Sequence, residues 1–241
     1  MINRYILHAL LLSHVLGDFY IQSKKHSERM TKSYFHVVFH NIRYFIIYSV
    51  CCVLLNDRNI AVATVYLSLL HLIFDSIFFC YRKRRETEHK RFYIVQILNI
   101  LCIVMASYVL TLTRRVYIFS DLSSILSIVD LLPETLKLIL PVLILIKPTN
   151  VLIKYTLASY KAEIEPEEGL ANAGAYIGIL ERLIMLLLIA SEQFSAIGLV
   201  LTAKSIARYK KISEDKQFAE YYLLGTLLST LSVVLVHLLL T

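Results

Sequence analysis

Apolar residues along this chain fall into blocks of about 17 to 22 positions, the length an α-helix needs to cross roughly 30 Å of hydrocarbon at about 1.5 Å per residue. The pattern predicts helices over 4–22, 34–55, 60–80, 92–112, 134–147, 173–191, 194–210 and 219–240. The expected fold is therefore all-α, a polytopic membrane protein of about eight transmembrane helices, with seven as the alternative count. Two blocks are weaker than the rest. The stretch 134–147 is short and contains Pro141, so it is either a span or one arm of a broken or re-entrant element with 116–132. The stretch 194–210 ends in Lys204 and Arg208, whose long stems can snorkel to an interface. The opening MINRYILHALLLSH has one Arg ahead of its apolar run and no small-residue cleavage site after it, so it reads as a retained first span.

Composition agrees with that pattern. The 241 residues are 57% hydrophobic, and 6 Gly and 4 Pro leave little punctuation. Cys51, Cys52, Cys80 and Cys102 lie in or at the ends of apolar runs and form no C-x-x-C pair, which points to packing rather than to redox or structural-metal chemistry. The net charge of +7 comes from Lys and Arg gathered between blocks rather than along a soluble surface, so a nucleic-acid partner is not expected. Basic loops follow the odd-numbered blocks: Lys24, Lys25, Arg29 and Lys32, then RKRRETEHKR, then Lys147, Lys154 and Lys161, then Lys210, Lys211 and Lys216. Arg114 and Arg115 run against the alternation. With basic loops cytoplasmic, eight spans put both termini outside, and the acidic loop KAEIEPEEG does not disturb that assignment. The expected organisation is a four-helix half over 1–112 and another over 113–241, within one membrane unit.

Polar residues inside the apolar blocks carry the candidate chemistry. HVLGDFYIQ places His14, Asp18 and Gln22 at intervals of four, stacked on one helical face. The second block opens with His36 and His40 at the same interval, the third holds His71 and Asp75, and the fourth holds Gln96 and Asn99. Counted from the basic-loop ends, these groups lie roughly 2 to 9 positions into their helices, or about 3 to 14 Å. Four histidines and two carboxylates at one depth make a nitrogen and oxygen ligand set suited to a divalent metal, zinc or manganese foremost. His14, Asp18, His36, His40, His71 and Asp75 are the expected ligands for one or two ions, with Asp18 and Asp75 the expected catalytic carboxylates. Gln22, Gln96 and Asn99 suit the role of orienting them. The plainer alternative is interhelical hydrogen bonding, but ionisable groups inside a span usually mark function.

A second polar set comprises Glu181 and Arg182 in one block, Lys204 and Arg208 in the next, and Glu220 in the last. Either Lys204 and Arg208 bind a substrate's anionic group, or they pair with Glu181 or Glu220 between helices.

H-x-x-x-D-F-x-x-Q in the first block, the His pair opening the second, H-x-x-x-D in the third and the stretch ERLI…QFSAIGLVLTAKSIAR…AEYYLLGTLLST resemble the bacterial multispanning membrane family known as domain of unknown function 3307. The resemblance covers nearly the whole chain and implies a bacterial cytoplasmic-membrane protein, with a SatD-type regulator as a partner. Members of that family tend to carry D-Q-x-x-H in the fourth span, where this chain has Val95, Gln96 and Asn99, so a His position of the relatives is an amide here. The H-x-x-x-D arrangement is also similar to that of membrane-bound metal-dependent hydrolases.

Three functions are compatible with these residues. The first is a metal-dependent hydrolase acting on a lipid-linked or phosphorylated substrate at the cytoplasmic face. The second is an ion- or proton-coupled transporter, which requires polar groups continuing toward the outer side. The third is a membrane anchor or sensor that holds a structural metal and docks a soluble partner. No P-loop, G-x-S-x-G, H-E-x-x-H or dinucleotide fingerprint competes with them.

Overall fold

A computed structural model describes residues 4–22, 33–55, 58–80, 88–112, 132–161 and 173–240, and every regular element among them is helical. The chain forms two compact units, Met1–Leu140 and Pro141–Thr241.

In the first unit, helix α1 (Arg4–Val15) continues directly into a π-helical turn (Leu16–Tyr20), and α2 (Tyr34–Leu55), α3 (Arg58–Cys80) and α4 (Glu88–Leu112) follow. None of these contains proline, so their hydrogen-bond ladders run uninterrupted. Helix α1 packs on α2 and α4, α2 on α3, and α3 on α4, which closes four helices around one core. Ile6 and Leu10 of α1, Tyr44 and Tyr48 of α2, Ile60, Ala63 and Leu67 of α3, and Ile103 and Leu110 of α4 form that core. Their separations of three, four and seven residues keep each set on one helical face. The outward faces are apolar too: Phe35, Val62, Leu101 and Leu112 are exposed, and helices hydrophobic all round suit a lipid surrounding.

The unit boundary falls within α5 (Leu132–Ile146). Helices α6 (Pro148–Thr156), α7 (Ala158–Lys161), α8 (Ala173–Ala190), α9 (Phe194–Ala207), α10 (Tyr209–Glu214) and α11 (Lys216–Leu240) complete the second unit. Helix α11 packs on α6, α8 and α10, and α8 also meets α9. Leu145, Met185, Leu186, Ile189 and Val233 form the core. The turn from α8 to α9 reverses at Glu192, which has φ 57° and is the only non-glycine residue with positive φ among those described. There the Gln193 amide donates to the Leu188 carbonyl at 2.8 Å, the closing bond of a left-handed helix end.

Five helical stretches among the described residues are long and apolar enough to cross a membrane: Ile60–Cys80, Lys90–Leu112, Thr135–Thr156, Ala173–Ala190 and Lys216–Leu240. The sequence pattern alone gave about eight. Helix α1 has 12 residues before its π turn, and α9 is apolar but only 14 residues long. The weak block at 134–147 is extended rather than short: α6 continues beyond Lys147 and brings the stretch to 22 residues. Most of 116–132, the loops carrying Lys24 to Lys32 and Arg82 to Thr87, and the acidic loop lie outside the described residues.

The break between α5 and α6 follows from Pro148. Proline has no N–H, so the Ile144 carbonyl one turn earlier loses its helical partner. The Thr149 hydroxyl donates to that oxygen instead, at 2.9 Å, and Arg182 Nε of α8 donates to the next carbonyl, Leu145, also at 2.9 Å. Thr149→Val keeps the shape and leaves the Ile144 oxygen without a partner, so the melting temperature in detergent should fall, with a loss of about 1 to 3 kcal/mol. Thr149→Ser should melt like the parent. Equal melting of all three proteins would show that the hydroxyl does not sustain the break.

Candidate metal centre

Four helices deliver the polar layer, and the π turn decides its geometry. Asp18 lies within that turn, where the Ile21 amide reaches back five residues to the Leu16 carbonyl at 3.0 Å. The wider turn breaks the regular stacking of Asp18 over His14: Asp18 Oδ2 is 3.9 Å from His14 Nε2, while Oδ1 lies 3.4 Å from His40 Nε2 and 3.2 Å from His71 Nε2. The two imidazole nitrogens are themselves 3.4 Å apart. Asp18 Oδ1 is buried and has no hydrogen bond of good geometry. Asp75 Oδ2 completes the surroundings of His71 at 3.6 Å from Nε2.

These distances can be compared with the demands of a metal. Four ligands at about 2.0 to 2.1 Å from a zinc ion in a tetrahedron are about 3.3 Å from one another. Asp18 Oδ1, His40 Nε2 and His71 Nε2 form a triangle of 3.2, 3.4 and 3.4 Å, the dimensions of one face of that tetrahedron. Two ligand triads of suitable spacing occur among the described residues, His14–Asp18–His71 and His40–His71–Asp75, and both use His71. His71 approaches Asp18, His40 and Asp75 through the same Nε2 atom, which has a single lone pair, so the pair of triads has the donors for one ion rather than two.

His14 stands apart from the triangle. Gln96 Nε2 donates to Asp18 Oδ2 at 2.9 Å, and its Oε1 lies 3.0 Å from His14 Nε2. Flipping the amide would set Oε1 against the carboxylate, so Asp18 fixes the amide's orientation, and an amide oxygen only accepts. His14 Nε2 therefore donates to that amide oxygen in this arrangement. Its Nδ1 lies 2.9 Å from the Tyr44 hydroxyl, which is 3.2 Å from the Tyr48 hydroxyl, and Tyr48 donates to the Leu10 carbonyl at 3.1 Å. Both ring nitrogens are thus engaged, and His14 acts on the centre through Gln96 and Asp18.

The remaining sequence candidates are distributed as follows. Asn99 is buried beside His71. His36, one turn before His40, is partly buried and belongs to neither triad, and Gln22 lies beyond the π turn and is partly buried. In the second unit, Lys204 Nζ meets Glu181 Oε2 at 2.6 Å and lies 5.3 Å from the Tyr222 ring centre, Arg208 stands over Phe218, and Glu220 is exposed.

Three residues of the centre escape a search for ligand types. Tyr44 stacks on the His71 imidazole, with ring centres 3.9 Å apart and planes 2° from parallel. Asn41 Nδ2 donates to Asp75 Oδ2 at 3.1 Å and to the Val37 carbonyl at 3.0 Å. Gly17 makes room for the tyrosine, since a Cβ there would stand 2.6 Å from Tyr44 Cδ2. Signals existed for two of them: Tyr44 is one turn beyond His40, and Gly17 is the only glycine before Gly169.

No curated protein and no solved structure matches the chain. A family profile does match it over residues 6–126, a stretch that contains the complete His and Asp layer with its Gln96 and Asn99 partners. That match extends over half of the sequence, and with it the chain belongs to the family described as protein of unknown function, DUF3307.

Proposed function

We propose that this protein is an eight-helix integral membrane protein of the bacterial cytoplasmic membrane that holds one divalent metal between its first four helices and hydrolyses a lipid-linked or phosphorylated substrate at the cytoplasmic face. The observation that carries the reading is the triangle of Asp18 Oδ1, His40 Nε2 and His71 Nε2, whose edges of 3.2 to 3.4 Å suit tetrahedral zinc. Zinc is the first expectation and manganese the second. Such an ion, when bound, supplies a water acidified to a pKa of about 7. The chain's own groups do the rest. Gln96 holds the second oxygen of Asp18 so that the first points at the two imidazoles. Tyr44, seated against Gly17, fixes the plane of His71. Asp75 Oδ2, held by Asn41 and somewhat farther from His71 than the triangle edges, is either the fourth ligand or the base that takes a proton.

One observation favours a second reading, an ion- or proton-coupled carrier. On α3, Thr64 and Ser68 continue the face of His71 and Asp75, and the antiparallel register that sets Asn99 beside His71 brings Ser107 of α4 level with Thr64. The hydroxyls of Thr64, Ser68 and Ser107 are buried without hydrogen-bond partners, a polar seam leading away from the metal layer. Buried hydroxyls of this kind are commonly met by water. Reconstituted protein that moves protons or the metal ion across liposomes, and stops doing so in a Thr64→Val, Ser107→Val double variant, would establish the carrier over the hydrolase.

Three results test the main reading. Purified protein should contain close to one equivalent of zinc or manganese and lose it to a chelator with a fall in melting temperature, because a ligand of the native state stabilises it. Asp18→Asn combined with His40→Ala should come metal-free, whereas His36→Ala should keep its ion. Protein that is metal-free as isolated, and whose melting is indifferent to added zinc and manganese, would leave only a hydrogen-bonded polar layer.

Gly17→Ala should weaken metal binding at least tenfold. Helix propensity favours Ala by about 1 kcal/mol, but overpacking against Tyr44 opposes it by about 1 to 3 kcal/mol and displaces the ring that supports His71. Unchanged affinity in this variant would remove Tyr44 from the account. For orientation, Glu86→Cys should react with a membrane-impermeant thiol reagent only after lysis, and Thr241→Cys in intact cells; the opposite labelling would invert the topology.

A further inference from the structure

The second unit buries a guanidinium whose outer edge is left without a hydrogen-bond partner among the described residues. Arg182 is 2% exposed and sits near the middle of the 18-residue helix α8, so in a bilayer it lies far from either interface. Its Nε is spent on the Leu145 carbonyl at the break between α5 and α6, and Nη1 reaches the Ser229 hydroxyl of α11 at 3.4 Å. Nη2 is buried with no partner. The adjacent carboxylate, Glu181, is closed onto Lys204 at 2.6 Å, and among the described residues no carboxylate forms an ion pair with Arg182.

A second group faces the same difficulty. Helical hydroxyls in this unit satisfy themselves by donating to the carbonyl one turn back, as Thr156, Thr202, Ser205, Thr230 and Ser232 do. Thr226 does not, and its Oγ1 is buried without a partner. It lies three residues before Ser229, hence on the face of α11 that meets Arg182. A guanidinium edge and a hydroxyl, both unpaired, thus stand on facing helices next to an interrupted helix. Breaks of this kind in membrane helices commonly border sites for charged ligands.

We propose that Arg182 Nη2 and the Thr226 hydroxyl bind an oxyanion, a phosphate or carboxylate group, within the second unit. The two N–H groups of Nη2 match an oxyanion's charge and geometry, and the anion relieves the cost of a buried unpaired cation. Gly178 lets the guanidinium lie close against its own helix, since a Cβ there would approach Nη1 to 3.3 Å. The candidate metal centre belongs to the other unit.

The test uses the full-length protein in phosphatidylcholine nanodiscs, with melting followed against inorganic phosphate and against succinate, each compared with chloride at equal ionic strength. A parallel arm measures phosphatidylglycerol retained through delipidation by native mass spectrometry. A saturable rise in melting temperature with phosphate or succinate, lost in Arg182→Gln and weakened about tenfold in Thr226→Val, supports a soluble oxyanion ligand. Phosphatidylglycerol retained by the parent and lost from both variants supports a lipid headgroup as the source. Should Arg182→Gln fail to fold, Arg182→Lys replaces it, since an ammonium keeps the charge without the two-pronged edge and should bind several-fold more weakly. No saturable shift and no retained lipid in the parent, or responses equal in parent and variants, overturns the proposal.

Discussion

A carboxylate buried between apolar helices has to be met by hydrogen-bond donors or cations, because burial strips it of its water. Asp18 is that group here, and the first unit is arranged around it: one oxygen faces His40 and His71, the other takes the Gln96 amide, and Gln96 in turn sets the proton on His14. Each helix of the four-membered ring contributes to this one contact set. The apolar core of Ile6, Leu10, Ile60, Leu67 and Ile103 holds the helices together, but the polar contacts specify how they are rotated against one another. A hydrophobic core tolerates small slippage, whereas polar contacts at 3.2 to 3.4 Å among Asp18, His40 and His71 do not.

Much of this was legible in the residues. Block lengths placed the helices closely, as at Tyr34–Leu55 and Ala173–Ala190, because a hydrocarbon-length apolar run admits little but a helix. The spacing of four in His71 and Asp75 correctly implied a shared face, since α3 is regular there. What spacing alone cannot reveal is a departure from regularity. His14 and Asp18 have the same interval, yet a π turn separates them and sends Asp18 toward other helices. The continuation of 134–147 through Pro148 was also hidden, because a proline normally ends a helix. Here it does so locally, and the chain resumes after Thr149 and Arg182 take up the freed carbonyls.

The two units handle polar groups differently. In the first, His, Asp and amide side chains gather in a compact set that leaves Asp18 Oδ1 and His71 Nδ1 without hydrogen bonds, and the family profile covers that set completely. In the second, polar groups repair a backbone. In the sequence Arg182 stands beside Glu181 in the second polar set with no role of its own. On a helix, adjacent residues point about 100° apart, so Glu181 turns to Lys204 and Arg182 turns to Leu145 and Ser229.

The π turn at Leu16–Tyr20 also makes length a constraint on the first helix. A π turn behaves as one residue inserted into an α-helix, so deleting Leu16 or Gly17 both removes the wide turn and moves Asp18 one position along the chain. Such a deletion changes the carboxylate's place around the helix axis and so its approach to both imidazoles at once. The first helix is therefore constrained in residue count as well as in the identity of Gly17 and Asp18.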